Sequence, residues 1–392
     1  MRNLIRVAGQ RLVVNIDGPL MLLVSLIIAL GPVTLYSATK ETPARFNAQL
    51  VNISVGLIAM WIAAQVPHKL LVRFALPAYI IGLALLIGVA VAGDIVNGAR
   101  RWLNVGFTRI QPSEIMKIAM PLALAWFFHR AEGTAGKREF IAAALLLVVP
   151  VALIMKQPDL GTALLVGAAG FYTIFLAGLS WRIMLTLGGL GAASIPFIWP
   201  LLHDYQRRRI SMFLDPTQDP LGAGYHTIQS TIAVGSGGVL GKGWLNGTQT
   251  HLEFIPERHT DFIFAVVSEE FGLVGNVVLV LLYIGLITRG MVIASNAPST
   301  FARLLAGSLV LCFFTYAFVN MGMVSGILPV VGVPLPFVSY GGTALVTLFI
   351  GIGICIGICM FICRGMGGRL IDDEDNDEDN DEDNGFISIP ND

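Results

Sequence analysis

The sequence has few charged residues for its length. Asp, Glu, Lys and Arg make up 13% of its 392 residues, whereas soluble domains carry about 25%. Cysteine is also scarce, and three of the four cysteines lie four positions apart in the last apolar run. That spacing is typical of packing on one helix face and argues against a disulfide framework or a metal site. No small-residue cleavage site follows the first apolar run, so we expect no cleaved signal peptide.

Long apolar runs take the place of the missing charge. Apolar residues form 55% of the chain, and a run of about twenty of them can cross a bilayer as a helix. We therefore predict an all-α polytopic membrane protein with about ten transmembrane helices. A long structured loop separates the seventh helix from the eighth. The predicted spans are 19–37, 46–64, 70–92, 114–128, 140–155, 161–179, 183–202, 262–288, 301–325 and 340–363.

Basic residues are distributed unevenly about these spans. With the N-terminus inside, thirteen lie on the inner side and six on the short outer segments, which predicts that both termini are cytoplasmic. Residues 1–18 then form the cytoplasmic N-terminus and 19–370 the membrane domain, with its large periplasmic loop at 203–261. Residues 371–392 form an acidic tail without Lys or Arg, which we expect to be disordered.

The large loop combines turn residues with apolar periodicity, so we expect it to be folded. An amphipathic helix is predicted at 225–234. The glycine run at 235–243 resembles a phosphate-binding loop, but Gly243 follows Lys242 where a Walker A motif has Ser or Thr. A backbone cradle for a ligand and a plain structural turn therefore both stay open.

The most polar stretch, residues 257–261, ends this loop just before a long apolar run. An acid beside a base and a histidine at a membrane helix terminus suggests chemistry at the membrane surface. Asp261 is the acid, and a helix N-cap is its alternative role. Arginines on the outer side suit bidentate contact with phosphate, with anchoring to lipid headgroups as the alternative.

Charges inside predicted spans are costly and point to function. Glu114 and Lys117 are three residues apart, so they share a helix face and can pair. Asp159 opens a helix after a proline, where an N-cap is its alternative role. Glu269 and Glu270 lie deeper in a span and are expected to pair within the bundle.

The chain resembles the SEDS family (shape, elongation, division and sporulation) over about residues 17–363. The resemblance rests on segments 97–103, 111–117, 157–162, 204–210, 257–263 and 332–342. It implies a peptidoglycan glycosyltransferase of the bacterial inner membrane that polymerises lipid II into glycan strands for cell-wall elongation and rod shape. The implied partners are a class B penicillin-binding protein transpeptidase, the elongation machinery and membrane lipids, with no nucleic acid.

The resemblance also implies roles for particular residues. Asp261 matches the family's essential acid, and we expect it to be the general base of an inverting transfer. A divalent cation, Mg²⁺ or Mn²⁺, held by Asp261 or Asp159 on pyrophosphate is a further hypothesis. The residues expected to bind substrate or pyrophosphate, or to line the central cavity, are Arg45, Glu114, Lys117, Asp159, Arg207, Arg208, Arg258, His259 and Ser339.

Two other functions fit parts of the sequence. A lipid II flippase or transporter would also have about ten helices, a charged interior and a broken helix. Alternating access favours a charged site near the midplane, however, whereas Asp261 and the arginines crowd the outer face. A noncatalytic scaffold for the transpeptidase would tolerate charge-neutral changes at Asp261. The glycosyltransferase is the predicted function.

Overall fold

The computed structural model describes residues 17–39, 43–96, 99–104, 109–132, 136–201, 207, 211, 215, 224–252, 254–255 and 257–383. Side chains are described for these residues except 94–96, 99–100, 104, 109, 187, 198, 201 and 364–383. Arg208, one of the predicted binding residues, lies outside the described residues.

Helices occupy the positions of all ten predicted apolar runs. In chain order the helices are α1 (Gly18–Ala38), α2 (Pro43–Ala64), α3 (His68–Ala92), α4 (Pro112–Arg130), α5 (Lys137–Lys156), α6 (Leu160–Leu176), α7 (Trp181–Ile198), α8 (Tyr225–Ser236), α9 (Thr248–His251), α10 (Ile263–Ser295), α11 (Thr300–Val324) and α12 (Thr343–Asp383). In the described part of the chain, seven are long and apolar enough to cross a membrane, and α4, α6 and α7 are not among them. The total of ten spans stays a prediction.

Local sequence signals set where several helices begin. The Asp17 carboxylate accepts a hydrogen bond from the Leu20 amide at 2.8 Å and caps α1. Ser299 caps α11 in the same way, by accepting from the Ala302 amide at 3.2 Å. Such side chains satisfy amides that have no partner within the helix.

A small antiparallel sheet joins α3 to α4, and here the all-α prediction is wrong. Its strands are β1 (Asp94–Val96), β2 (Ala99–Asn104) and β3 (Arg109–Ile110), in the order β1-β2-β3. Strand pairing satisfies the backbone groups of this connection. Arg101 of β2 donates to the carbonyls of Gln157 at 3.4 Å and Pro158 at 2.5 Å, which ties the sheet to the start of α6.

The core lies around α11 and α12, which bury 78% and 67% of their most apolar stretches. Gly353 and Gly357 of α12 lie against the backbone of Met60 and Ala64 in α2. Small residues at such a contact let two helices approach closely in a membrane. Helix α12 continues to Asp383, through acidic residues for which the sequence predicts disorder. No side chain after Cys363 is described, and a disordered tail stays a prediction.

Helix α10 is interrupted at Gly272, whose φ of 63° and ψ of −158° only glycine adopts readily. The turn at 237–243 fills the interruption. Its carbonyls accept from the amides of residues 273 and 274, and the amides of Lys242 and Gly243 donate to the carbonyls of residues 269 and 270. The glycine run is therefore a structural turn. The alternative prediction, a backbone cradle for a ligand, is wrong for the amides of Lys242 and Gly243, because both already donate to carbonyls of α10.

The acids beside this interruption have partners, as the sequence predicts. Glu269 is buried and accepts from the Lys242 ammonium at 2.7 Å and from the Thr250 hydroxyl at 2.9 Å. Glu270 accepts a hydrogen bond from Ser37 of α1. The Glu269 contacts hold the loop residues Lys242 and Thr250 against α10, and the Glu270 contact holds α1 against it.

Candidate active site

Asp261 lies in the turn before α10, and its carboxylate is not used as a helix cap. Phe262 occupies the N-cap position of α10 and provides no side-chain cap, so the alternative role of Asp261 as an N-cap is wrong. Among the described residues, none donates a hydrogen bond to this carboxylate. Both of its oxygens are thus available to a substrate.

The backbone around Asp261 is fixed by the return loop, which we define as residues 325–342. The Asn320 amide donates to the carbonyls of Asp261 at 2.8 Å and Val333 at 2.7 Å. The Ser339 hydroxyl donates to the Thr260 carbonyl at 2.6 Å. Residues 335–339 of the return loop are buried. Ser339, a predicted site residue, thereby positions the acid rather than contacting its carboxylate.

Gly332 of the return loop allows a close approach to the Asp261 carboxylate. Its φ is +74°, and a Cβ atom built there would lie 3.3 Å from Asp261 Oδ2. A side chain at this position would be strained by the backbone conformation and would crowd the acid. The sequence alone did not single out Gly332 or Asn320.

The surroundings make Asp261 a base suited to neutral pH. Burial, and secondarily the Glu257 carboxylate, raises its pKa to about 6. Burial and the positive charge of Arg45 lower the pKa of His259, against the opposing effect of Glu257. Asp261 is therefore mostly ionised at pH 7 while His259 is neutral, which suits the carboxylate to proton abstraction.

The predicted arginines occupy different places. Arg45 is exposed near the start of α2 and acts electrostatically on His259. Arg258 donates through Nε to the carbonyl of Ala38, the last residue of α1, at 2.9 Å. Arg207 donates to the carbonyls of residues 199 and 200 after α7. Arg258 thus belongs to the polar stretch of Asp261 and Arg45 acts on it electrostatically, whereas the bonds of Arg207 tie it to the end of α7.

A cavity of about 530 Å³ lies between α2, α3, α4 and the start of α12. Its wall is largely apolar, with polar groups contributed by Asn52, Gln111, Glu114, Thr343 and Thr347. Of the predicted cavity residues only Glu114 lines it. The other polar lining residues, Asn52, Gln111, Thr343 and Thr347, were not predicted from the sequence, because uncharged side chains in apolar runs give a weak signal. Gln111 nevertheless opens one of the motif segments.

The cavity and Asp261 are connected through Gln49, one helical turn before Asn52. The Gln49 side chain donates to the carbonyl of Ser339 at 3.1 Å and accepts from the Gly341 amide at 3.2 Å. Ser339 in turn holds the residue before Asp261. Within the return loop, Ser339, which binds the residue before Asp261, is therefore only three residues from Gly342, which lines the cavity.

Lys117 supports Glu114 from inside the protein. Its ammonium lies 2.6 Å from Glu114 Oε1 and 2.7 Å from the Tyr316 hydroxyl, and the residue is 6% exposed. Thr347 donates to the other Glu114 oxygen at 3.3 Å. The geometry favours the structural interpretation of the pair, because the ammonium is already engaged and a phosphate ligand would have to displace Glu114.

Asp159 is the N-cap of α6, so its alternative role is confirmed. Its carboxylate accepts from the amide and hydroxyl of Thr162 and from the Gln111 amide. Within the described part of the chain, no group of three His, Cys, Asp or Glu residues could hold a metal ion. Asp159, one of the two carboxylates expected to hold a cation, does not fit a resident one, because its oxygens are already bonded. Asp261 alone offers one carboxylate.

The chain is similar to proteins of bacterial cell-wall synthesis over most of its length. Residues 18–362 match the family profile of FtsW, RodA and SpoVE, described as cell cycle proteins. The peptidoglycan glycosyltransferase MrdB of Escherichia coli K12 is 50% identical over 342 residues, which cover 87% of this chain and 92% of that protein. The stage V sporulation protein E of Bacillus subtilis is 35% identical, with 86% of this chain and 94% of that protein covered.

Solved structures resemble it in the fold as well. One is a chain from a peptidoglycan synthase complex described as coordinating polymerization and crosslinking, with a TM-score of 0.77, 36% identity, and coverage of 88% of this chain and 98% of that chain. Another is the rod shape determining protein RodA of Thermus thermophilus, with a TM-score of 0.66, 32% identity, and coverage of 88% and 96%.

Proposed function

The chain belongs to the SEDS family of FtsW, RodA and SpoVE, and we propose that it is a peptidoglycan glycosyltransferase whose general base is Asp261. Its similarity to MrdB and RodA assigns it to the synthesis of cell wall and cell shape in the membrane. The observation that carries the role of Asp261 is its half-buried carboxylate with a pKa of about 6 and no hydrogen-bond donor among the described residues.

The substrate class is lipid II, a disaccharide-peptide on a polyprenyl pyrophosphate. An α-linked donor that gives a β-1,4 product requires inversion, hence a single displacement. Asp261 takes the proton of the acceptor hydroxyl as that oxygen attacks the anomeric carbon of the donor. The bond from that carbon to the pyrophosphate oxygen breaks, and the pyrophosphate leaves with its negative charge. General-base catalysis of this kind contributes roughly 10²- to 10⁴-fold in rate.

Positive charge stabilises the leaving pyrophosphate. Arg45 is exposed and acts electrostatically on His259, and Arg258 is held at the end of α1, so both are associated with the polar stretch that carries the base. Guanidinium groups bind phosphate oxygens bidentately. A cation brought in with the pyrophosphate would add charge there, since Mg²⁺ commonly combines one or two carboxylates with phosphate oxygens.

The cavity beside Glu114 accommodates the substrate next to this base. Its volume of about 530 Å³ falls within the range of roughly 300–1,000 Å³ of small-molecule sites. The polar groups Asn52, Gln111 and Glu114 suit saccharide hydroxyls, and the apolar remainder suits part of the polyprenyl chain. Lys117 keeps Glu114 oriented toward the cavity.

The proposed glycosyltransferase function also implies a membrane topology and a set of partners. We expect both termini in the cytoplasm and the stretch of Asp261 on the periplasmic side, because basic residues favour the inner segments. A class B penicillin-binding protein would crosslink the strands, in line with the similarity to a chain of a peptidoglycan synthase complex. The elongation machinery is a further expected partner.

The comparisons favour the glycosyltransferase over the flippase, since the relative MrdB, at 50% identity, is a peptidoglycan glycosyltransferase by name. A direct test uses fluorescent lipid II and the purified protein in vesicles with its cognate transpeptidase, whose crosslinking is blocked by a β-lactam. Glycan polymer resolved by gel electrophoresis is the expected result. Movement of lipid II between leaflets with no polymer, from a well-folded complex, would overturn the proposal in favour of transport.

A further inference from the structure

A second cavity is lined by a different part of the return loop from the first. It has a volume of about 370 Å³ and lies between α1, α10 and the turn at 237–243. Val338 lines this cavity, whereas Gly342 and Thr343 line the larger one. Between them, Ser339 binds the carbonyl of Thr260, next to Asp261. The two cavities therefore flank the loop that positions the proposed base.

The second cavity has an apolar wall. Thr34 is the one residue in its lining with a polar side chain, and its hydroxyl already donates to the Leu30 carbonyl at 2.9 Å. No lining side chain is thus left to bind a saccharide or a phosphate. Apolar cavities of this kind stay dry and take apolar groups, so a hydrocarbon chain would suit this one.

The position of the cavity places that chain in the membrane, close to the reaction. Both α1 and α10 are apolar enough to span the bilayer. Val267 lines the cavity and follows Asp261 by less than two helical turns. Leu240 lines it from the turn and is 80% exposed, beside Val239 at 63%, as expected where the protein meets lipid.

We propose that the cavity between α1 and α10 binds the polyprenyl chain of the second lipid-linked reactant. This inference rests on the proposed function, because polymerisation joins two saccharides that are each carried on such a chain. The larger cavity, which has several polar groups in its largely apolar wall, takes one reactant. Holding the second chain beside the same return loop brings the two saccharides together, which lowers the entropic cost of their encounter.

The chain offers a matched pair of variants for the test. Val277 and Val278 are neighbours in α10 and are both 47% exposed, but only Val278 lines the cavity. Val278→Trp fills the space, and Val277→Trp makes the same change outside it. A second pair on the facing helix is Leu30→Trp, which fills the cavity, and Leu26→Trp, which does not. Agreement between the pairs separates cavity filling from a folding defect in one variant.

The probe is a polyprenyl phosphate with a photoreactive group on its chain, in phosphatidylglycerol vesicles with the Asp261→Asn protein, so that labelling needs no turnover. Mass spectrometry should map the labels to residues 267–279. Labelling of Val278→Trp and Leu30→Trp should be about tenfold weaker than that of the parent protein, which is the discrimination that one mismatched pocket group commonly gives. Val277→Trp and Leu26→Trp should label like the parent protein. Equal labelling within both pairs would overturn the inference. So would a loss of labelling when the ratio of phosphatidylglycerol to probe is raised, because the cavity would then bind any lipid chain.

The polymerase assay separates this inference from the function on which it rests. With Asp261 restored, Val278→Trp should polymerise lipid II about tenfold more slowly than Val277→Trp. Labelling of the cavity without any polymer from the parent protein would contradict the proposed function while supporting the chain site. Polymer made equally fast by both variants would contradict the chain site alone.

Discussion

Polymerisation should slow on acidification, with a midpoint near the pKa of Asp261. Burial and the Glu257 carboxylate raise this pKa from 3.8 to about 6. A general base acts only when deprotonated, so the rate should rise with pH through this value, reaching roughly half of its plateau at pH 6 and about a tenth at pH 5. With an ordinary pKa of 3.8, the rate would hardly change over that interval.

Glu257→Gln tests the cause of this shift. The variant removes the negative charge near Asp261 but keeps an oxygen that can accept from Thr260. The pKa of Asp261 should fall while staying raised by burial, so the acidic limb should move to lower pH. The position of the acidic limb is measured from initial rates with fluorescent lipid II from about pH 5 to 8. Glu132→Gln, which is distant in sequence, is the control variant. A flat profile in the parent protein, or the same limb in both proteins, would refute the reasoning.

Two further substitutions test the supports of the site. Lys117→Met leaves Glu114 buried without its partner, so the free energy of unfolding, followed by thermal denaturation, should fall by about 3–5 kcal/mol. Adding Glu114→Gln should restore much of this stability. Gly332→Ala should slow polymerisation more than Gly326→Ala, because both glycines have φ of +74° but only Gly332 approaches the Asp261 carboxylate. Equal rates in the two glycine variants, or wild-type stability of Lys117→Met, would contradict these roles.

The sequence predicts the helices well because their signals are local. Each apolar run carries its own length and hydropathy, and capping residues such as Asp17 and Ser299 lie within one turn of the helix they begin. The small sheet after α3 was not predicted, since its strands are short and depend on pairing with each other. The interruption at Gly272 was missed because other glycines in the same apolar run, such as Gly275, look equivalent in the sequence.

The candidate site could be predicted in part. Asp261 stands out because it lies beside a base and a histidine at the start of an apolar run, but its role as a cap could be rejected only from the position of Phe262. Asn320 gave a usable signal, since an amide within an apolar span needs partners. Gly332 acts through a contact between distant parts of the chain, which spacing along the sequence does not reveal.

The central claim is that Asp261 performs the chemistry and does not simply hold the fold. The most direct measurement compares Asp261→Asn with the parent protein, each with the transpeptidase, for lipid II binding and for the rate of polymerisation in a single turnover. Binding should be retained and the rate should fall about 10²- to 10⁴-fold. A variant that binds lipid II and polymerises it at a rate close to that of the parent protein would contradict the claim.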